Sequence, residues 1–251
     1  MVKKLVIVLL IILAVVLLVG VNYIFFSGSV GLPANVKEAL KSDEHVEISL
    51  PQNGDWLVAT PKKDTPQVGL VLYPEGNMDV RTYAYISREI AKEGYLVVFI
   101  SRRADRDLDL EKEYARIEEV VAAFPEIETW VAGGHTWSGH ISPGYALRHP
   151  GQFQGLVLWA ARLGDESSLA ASQLPVLYIY GSLDDENVNL VESVEPYVPA
   201  HTQWVVIEGG NRVGFASFGP MAADAGAKIS EAEQQAQAAA ATVEFLKTLA
   251  K

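Results

Sequence analysis

The residues most suited to chemistry lie in "VAGGHTWSGHIS", positions 131 to 142, where an apolar strand pattern runs through two glycines into a short helical pattern. A nucleophile at such a strand-to-helix turn is expected as G-x-S-x-G. Here the five positions read Gly134-His135-Thr136-Trp137-Ser138. A hydroxyl at the apex can attack an acyl carbon if a base takes its proton, and the next residue's N–H can steady the oxyanion that forms. Thr136 supplies a hydroxyl, but its extra methyl restricts χ1 and crowds a tight turn. Ser138 stands where a glycine would let helix approach strand. Whether this stretch can work depends on what the rest of the chain brings to it.

Several elements are laid out to bring something. "HVEISLPQNGDWLVATP" reads as two strands around the turn signal Asn53-Gly54. "VGLVLYP" at 68 to 74 is a buried-strand run, followed by a helix over "DVRTYAYISREIAKEG" with Tyr83, Ile86 and Ile90 on one face and Gly94 as its C-cap. "YLVVFI" is the next strand, and "EKEYARIEEVVAAFP" a helix facing inward with Tyr114, Ile117, Val121 and Phe124. Strands at "TWVAGG", "GLVLWA", "LPVLYIYG" and "TQWVVIEGG" continue the series, with a helix near "NVNLVESVEPYV". The last segment is a helix opened by a Ser230/Glu233 capping box. Apolar strands separated by amphipathic helices predict an α/β fold: a mostly parallel sheet with helices on both faces, its site outside the C-terminal strand ends.

"GLVLYPEGNMD", "AKEGYLVVFI", "VAGGHTWSGH", "LPVLYIYGSLDD" and "VVIEGGNRVGFASFGP" follow in the order and roughly the spacing of an α/β-hydrolase. From about Pro33 to Leu249 the chain most resembles bacterial dienelactone-hydrolase-like members. The resemblance implies the α/β-hydrolase fold and hydrolysis of small ester or related acyl substrates, with no cofactor. Carried over residue by residue, it puts the nucleophile at Thr136, the acid at Asp184 and the histidine at Arg212, with an oxyanion hole from the N–H of Trp137 and one near Glu75 and Gly76. Only Asp184 has the expected type. A guanidinium stays protonated at any physiological pH, so Arg212 cannot act as base, and an ion pair with Asp184 is the role expected of it. A Glu75 carboxylate turned into the hole would repel a developing oxyanion.

No other histidine replaces the base. His135 is read as a packing residue; His140 lies a turn beyond Thr136 with no evident acid to orient it; His149 ends that helix; His45 and His201 are expected at the surface. The histidine spacing matches no metal motif, so no metal site is expected. Arg102 and Arg103, in the loop after "YLVVFI", could form a cationic wall for a carboxylate or phosphate ligand, or pair with the aspartates of the same loop.

Residues 5 to 26 are uncharged and apolar apart from Gly20 and Asn22, and follow Lys3 and Lys4. As a helix they would span about 33 Å, enough for a bilayer. Residues 1–30 are therefore read as a single-pass transmembrane anchor, with a signal peptide as the competing reading, and 31–251 as one α/β-hydrolase domain outside the cytoplasm. A formal charge of −11 makes nucleic acid an improbable partner. Two functions follow: a membrane-anchored hydrolase of small esters using Thr136, or a catalytically inactive relative that binds a small ligand or a partner.

Overall fold

The structure is a computed structural model and describes residues 32–102, 109–184, 189–219 and 226–249. The chain divides between Ala34 and Asn35, and Asn35–Lys251 forms the larger, compact unit. The expected anchor at 5–26 lies outside the described residues, and among those described no helix is long and apolar enough to cross a membrane.

Within the larger unit, helix α1 (Ala34–Ala39) leads into strands β1 (Val46–Ser49) and β2 (Trp56–Pro61). The turn between them, Pro51–Gly54, is where Asn53-Gly54 predicts it, with Gln52, Asn53 and Gly54 at φ 53, 57 and 88°. Then come β3 (Val68–Tyr73), α2 (Ala84–Lys92), β4 (Leu96–Ile100), α3 (Leu110–Ala123), β5 (Thr129–His135), α4 (Ile141–Arg148), β6 (Gly155–Trp159), β7 (Val176–Gly181), α5 (Leu190–Val194), β8 (Gln203–Ile207) and α6 (Glu231–Leu249). The strands form one sheet in the order β1-β2-β4-β3-β5-β6-β7-β8. β2 runs antiparallel to β1 and β4, and the rest are parallel.

Local sequence accounts for the ends of these elements. The Asp79 side chain accepts from the Arg81 N–H and opens the turn into α2, and Gly94 closes that helix at φ 97°. Ser230 Oγ accepts from the Glu233 N–H at 3.2 Å, half of the expected capping box. α2 and α6 pack on each other and reach β2, β4, β7 and β8, while α3 and α4 pack together against β3, β4 and β5. With both faces covered, β3, β4 and β6 are buried along their whole length.

The buried face of α3 is broader than apolar spacing predicts. It includes Glu113 and Arg116, an ion pair at 3.2 Å, while Val121 and Phe124 are only partly buried. The Tyr73 hydroxyl, which donates to the Glu113 carbonyl at 2.7 Å, draws that turn inward.

The parallel strands end on one side of the sheet, so the segments after β3, β4, β5, β6, β7 and β8 gather there. Under them lies an aromatic layer. Tyr83 stacks on Phe99 at 4.4 Å between ring centroids, Phe99 meets Trp159 at 6.0 Å, and Trp159 stacks on Phe215 at 5.8 Å.

The β5–β6 pairing beneath this layer leaves no space for a side chain at Gly133, where a Cβ would lie 1.8 Å from the Val157 carbonyl oxygen. Gly133→Ala should therefore force the two strands apart and lower the melting temperature by more than about 10 °C. Gly164→Ala, where a Cβ meets nothing within 4 Å, should melt close to the parent. Equal melting temperatures for the two variants, measured by circular dichroism, would contradict this reading of the sheet.

Candidate functional site

β5 ends at His135, and the next residue, Thr136, has a φ of 46° and is fully buried. A left-handed conformation is unusual for any residue with a Cβ and more so for a β-branched one, at a cost of roughly 1–3 kcal/mol. Thr136–His140 then makes a single 3₁₀ turn into α4. This is the sharp strand-to-helix turn that the sequence predicts. The close approach falls at Gly139, where a Cβ would lie 2.4 Å from the Ala161 Cβ. Ser138 thus fits without steric conflict; its hydroxyl makes a long contact of 3.4 Å to the Gly76 carbonyl in the loop after β3.

His135 ties this turn to two other loops. Its Nδ1 lies 2.7 Å from the Tyr83 hydroxyl and its Nε2 2.8 Å from the Arg212 carbonyl. Complementarity fixes the protons. The Arg212 carbonyl can only accept, so Nε2 carries the hydrogen, and in the neutral imidazole Nδ1 accepts from the Tyr83 hydroxyl, whose oxygen accepts in turn from the Glu75 N–H at 2.8 Å. Burial holds the Tyr83 phenol well above its ordinary pKa, which keeps that proton in place. His135, with both ring nitrogens so engaged, acts as a structural bridge. The Glu75 amide is also taken, so of the N–H groups expected for an oxyanion hole, Gly76 and Trp137 remain.

The loop after β8 is held from behind by α6. Gln234 accepts from the Asn211 N–H at 3.0 Å and donates to the Asn211 carbonyl at 2.7 Å, while Asn211 Oδ1 accepts from the Gly214 N–H at 3.0 Å. This two-point grip sets the direction of Arg212, which is 4% exposed. Sequence reasoning expects Asp184 beside it, and Arg212 forms an ion pair with Glu75, with Nη1 3.6 Å from Oε1. Asp184 is buried just after β7, its N–H bonded to the Gly181 carbonyl at 3.0 Å. It lies near the Tyr178 phenol, whose pKa is raised well above its ordinary value, chiefly by burial and further by the Asp184 charge.

Above the turn the surface is aromatic and basic. Trp137 is 56% exposed, and the Arg162 guanidinium lies 5.3 Å from its ring centroid. The Arg162 N–H donates to the Thr136 carbonyl at 3.1 Å, and Tyr178 Oη donates to the Ala161 carbonyl at 2.5 Å, which fixes the segment after β6. His140 Nδ1 donates to the Trp137 carbonyl. Burial pushes the His140 imidazole below its ordinary pKa, and the nearby Arg102 charge acts in the same direction. Arg102 is half-buried after β4; Arg103 lies outside the described residues.

A buried hydroxyl on a strained strand-to-helix turn, with loops converging from β3, β7 and β8, is the arrangement of a nucleophile elbow. Residues 69–236 match the model of the alpha/beta hydrolase family. The chain belongs to this family.

Solved structures agree at the level of the hydrolase fold. EstE1, a thermostable carboxylesterase cloned from a metagenomic library, superposes with a TM-score of 0.60 at 14% identity, covering 86% of this chain and 94% of its own. An esterase from Pyrobaculum calidifontis gives 0.58 at 18% identity, covering 86% and 89%. A predicted CIB-like hydrolase from Thermoplasma acidophilum gives 0.57 at 15% identity, covering 81% and 99%. A comparison with curated protein sequences gives no match.

Tyr83, Arg162 and Gln234 escape the sequence reading of this hydrolase site. Arg162 had a usable signal, because it directly follows a parallel strand. Gln234 is a glutamine in an alanine-rich helix, and Tyr83, in the turn leading into α2, passes as a core residue of the helix predicted there; neither announces a polar role.

The Glu75–Arg212 pair is buried on both sides, with side chains 9% and 5% exposed, and predicts strong coupling. Arg212→Met alone should cost about 3 kcal/mol of stability, because it leaves the Glu75 carboxylate buried beside a hydrocarbon. Glu75→Gln in the same chain should recover at least half of that loss. A double-mutant cycle by urea unfolding in which the two effects simply add would show that the pair carries no coupling.

Proposed function

We propose that this chain is a hydrolase-family protein, most like the dienelactone-hydrolase-like members, that retains the site for a small ester or acyl ligand but has lost efficient turnover. Its triad positions are Thr136, Asp184 and Arg212. The observation that carries the reading is that Thr136 Oγ1 is buried with no hydrogen-bond partner among the described residues. In a working site a base would accept its proton. Arg212, at the base position, has no lone pair to offer and reaches Glu75, whose carboxylate near the hole opposes an oxyanion.

Residues 5–26 hold the domain at a membrane, outside the cytoplasm, in this proposal; their apolar length and the preceding lysines support it. The full chain should pellet with membranes. Recovery of a soluble form starting near residue 30 would count against the anchor.

A second reading, a slow hydrolase that uses Thr136 itself, draws on the 46° φ, since strain of this kind concentrates at sites where it serves chemistry. Short-chain p-nitrophenyl esters separate the two. The starting protein should match its Thr136→Ala variant, both near the rate in buffer. Combining Thr136→Ser, Arg212→His and Glu75→Gly should raise hydrolysis by about 10²–10⁴-fold through general-base assistance, with the single changes giving almost nothing. Glu75 must change with Arg212 because the two form an ion pair. A parent rate that falls on Thr136→Ala would establish the slow hydrolase, and a folded triple variant without gain would show that the ligand site itself has diverged.

A further inference from the structure

A sheet has two edges, and this one treats them differently. At the β1 edge the preceding segment closes the strand. The Asp43 N–H donates to the Val46 carbonyl at 3.0 Å and the Val46 N–H to Asp43 Oδ1 at 2.9 Å. The Ser42 hydroxyl accepts from the Ile48 N–H at 2.9 Å and donates to the Ile48 carbonyl at 3.3 Å. Exposed Glu47 adds a charge between them. Devices of this kind blunt an edge, because an open row of N–H and C=O groups recruits other strands.

β8, at the other edge, has none of them. Residues 202–207 include no charged residue and no proline. The Ile207 carbonyl accepts from the Ser182 N–H at 3.0 Å, so Gln203, Val205 and Ile207 turn their backbone groups to β7, and those of Trp204 and Val206 point out of the sheet. Among the described residues no group bonds to them. The side chains along the edge are apolar as well. Val206 is 44% exposed and Val205 half-buried, and the half-buried Trp204 ring lies 4.8 Å from that of Tyr178.

We infer that β8 is the docking edge for a second copy of this chain, paired antiparallel about a two-fold axis at Val205. The spacing of the open groups selects that partner. Trp204 then lies opposite Val206 of the second copy at both ends, so every outward N–H and C=O of these residues is satisfied by the same patch on each chain. Val205 faces its own counterpart. Glu208 faces Thr202 and not another Glu208, so the pairing sets no like charges directly together in a chain of net charge −11. None of this depends on whether Thr136 turns over.

The chain has no cysteine, so one introduced thiol reports this geometry alone. In the full chain, held in mild detergent, Val205→Cys should give a disulfide-linked dimer on mild oxidation, because opposed residues of a non-hydrogen-bonded antiparallel pair have Cα atoms about 4.5 Å apart, within disulfide reach. Val206→Cys, although its side chain is the more exposed, should link more slowly by roughly tenfold, since its counterpart lies two residues further along the strand, beyond the ~7 Å limit. By light scattering at about 0.1 mM, a concentration suited to a small interface, the parent should have twice the mass of one chain. Val205→Lys and Val205→Glu each set like charges against each other and should be monomeric, whereas mixing the two variants should restore the dimer, which a folding defect would not allow. Equal linking at positions 205 and 206, or a dimer that persists in Val205→Lys, would overturn the inference and place the contact elsewhere. A monomeric parent would also overturn it and leave the edge to an extended segment of a different protein.

Discussion

The candidate site depends on one histidine side chain whose two ring nitrogens are both held in hydrogen bonds. His135 accepts from Tyr83 on one ring nitrogen and donates to the Arg212 carbonyl with the other, and Tyr83 in turn accepts from the Glu75 N–H. The loop after β3, the end of β5 and the loop after β8 are thereby joined by three hydrogen bonds. Neither end of the chain of donors can be reversed, because an amide only donates and a carbonyl only accepts. In a buried setting each of these bonds is expensive to leave unmade, so the tautomer of His135 and the spacing of the loops are set together. The aromatic layer below adds shape, with Phe215 lying 5.2 Å from the His135 ring between centroids.

This arrangement explains how a turn with the geometry of a nucleophile elbow persists around residues poorly suited to its chemistry. Thr136 is held left-handed by contacts that do not involve its side chain: Gly139 against Ala161, the Arg162 N–H on the Thr136 carbonyl, and His135 on one flank. The loop bearing Arg212 is likewise fixed through the backbone, by Gln234 gripping Asn211. Replacing a serine or a histidine at these positions alters reactivity and leaves most of the supports untouched. The turn is thus held by supports other than the side chains at the triad positions. The strain at Thr136 is sustained by surrounding packing, in keeping with interiors that accept only a few discrete arrangements.

The same division decides what could be read before the structure. Alternating apolar runs and helical stripes place all eight strands, and for the inner ones such as β3, β4 and β6 burial on both faces is written locally in each segment. Asn53-Gly54, Gly94 and Ser230 mark real ends for the same local reason. The site was legible as far as family motifs carry it: Thr136, Asp184 and Arg212 do follow β5, β7 and β8. What no local pattern encodes is the pairing of Arg212 with Glu75 or the grip of Gln234 on Asn211, since each joins residues far apart in the chain through side chains of ordinary type. The extra inward turn of α3 at Glu113 and Arg116 is similar. It is set by Tyr73 on a distant strand, and charged residues there argue against burial in any one-dimensional reading.

Charge supplies the reason that the two least expected residues occur together. A buried guanidinium at the position of a neutral imidazole would add an uncompensated positive charge to a site built around one carboxylate, Asp184. A buried carboxylate at position 75 would by itself add a second negative one. Together, 3.6 Å apart, they cancel, and the set of Glu75, Asp184 and Arg212 keeps the single negative charge that an aspartate with a neutral histidine would have. Arg212 and Glu75 are thus one electrostatic unit. The pairing preserves the electrostatics that the fold must satisfy, and under the proposed reading it also withholds the lone pair that hydrolysis requires.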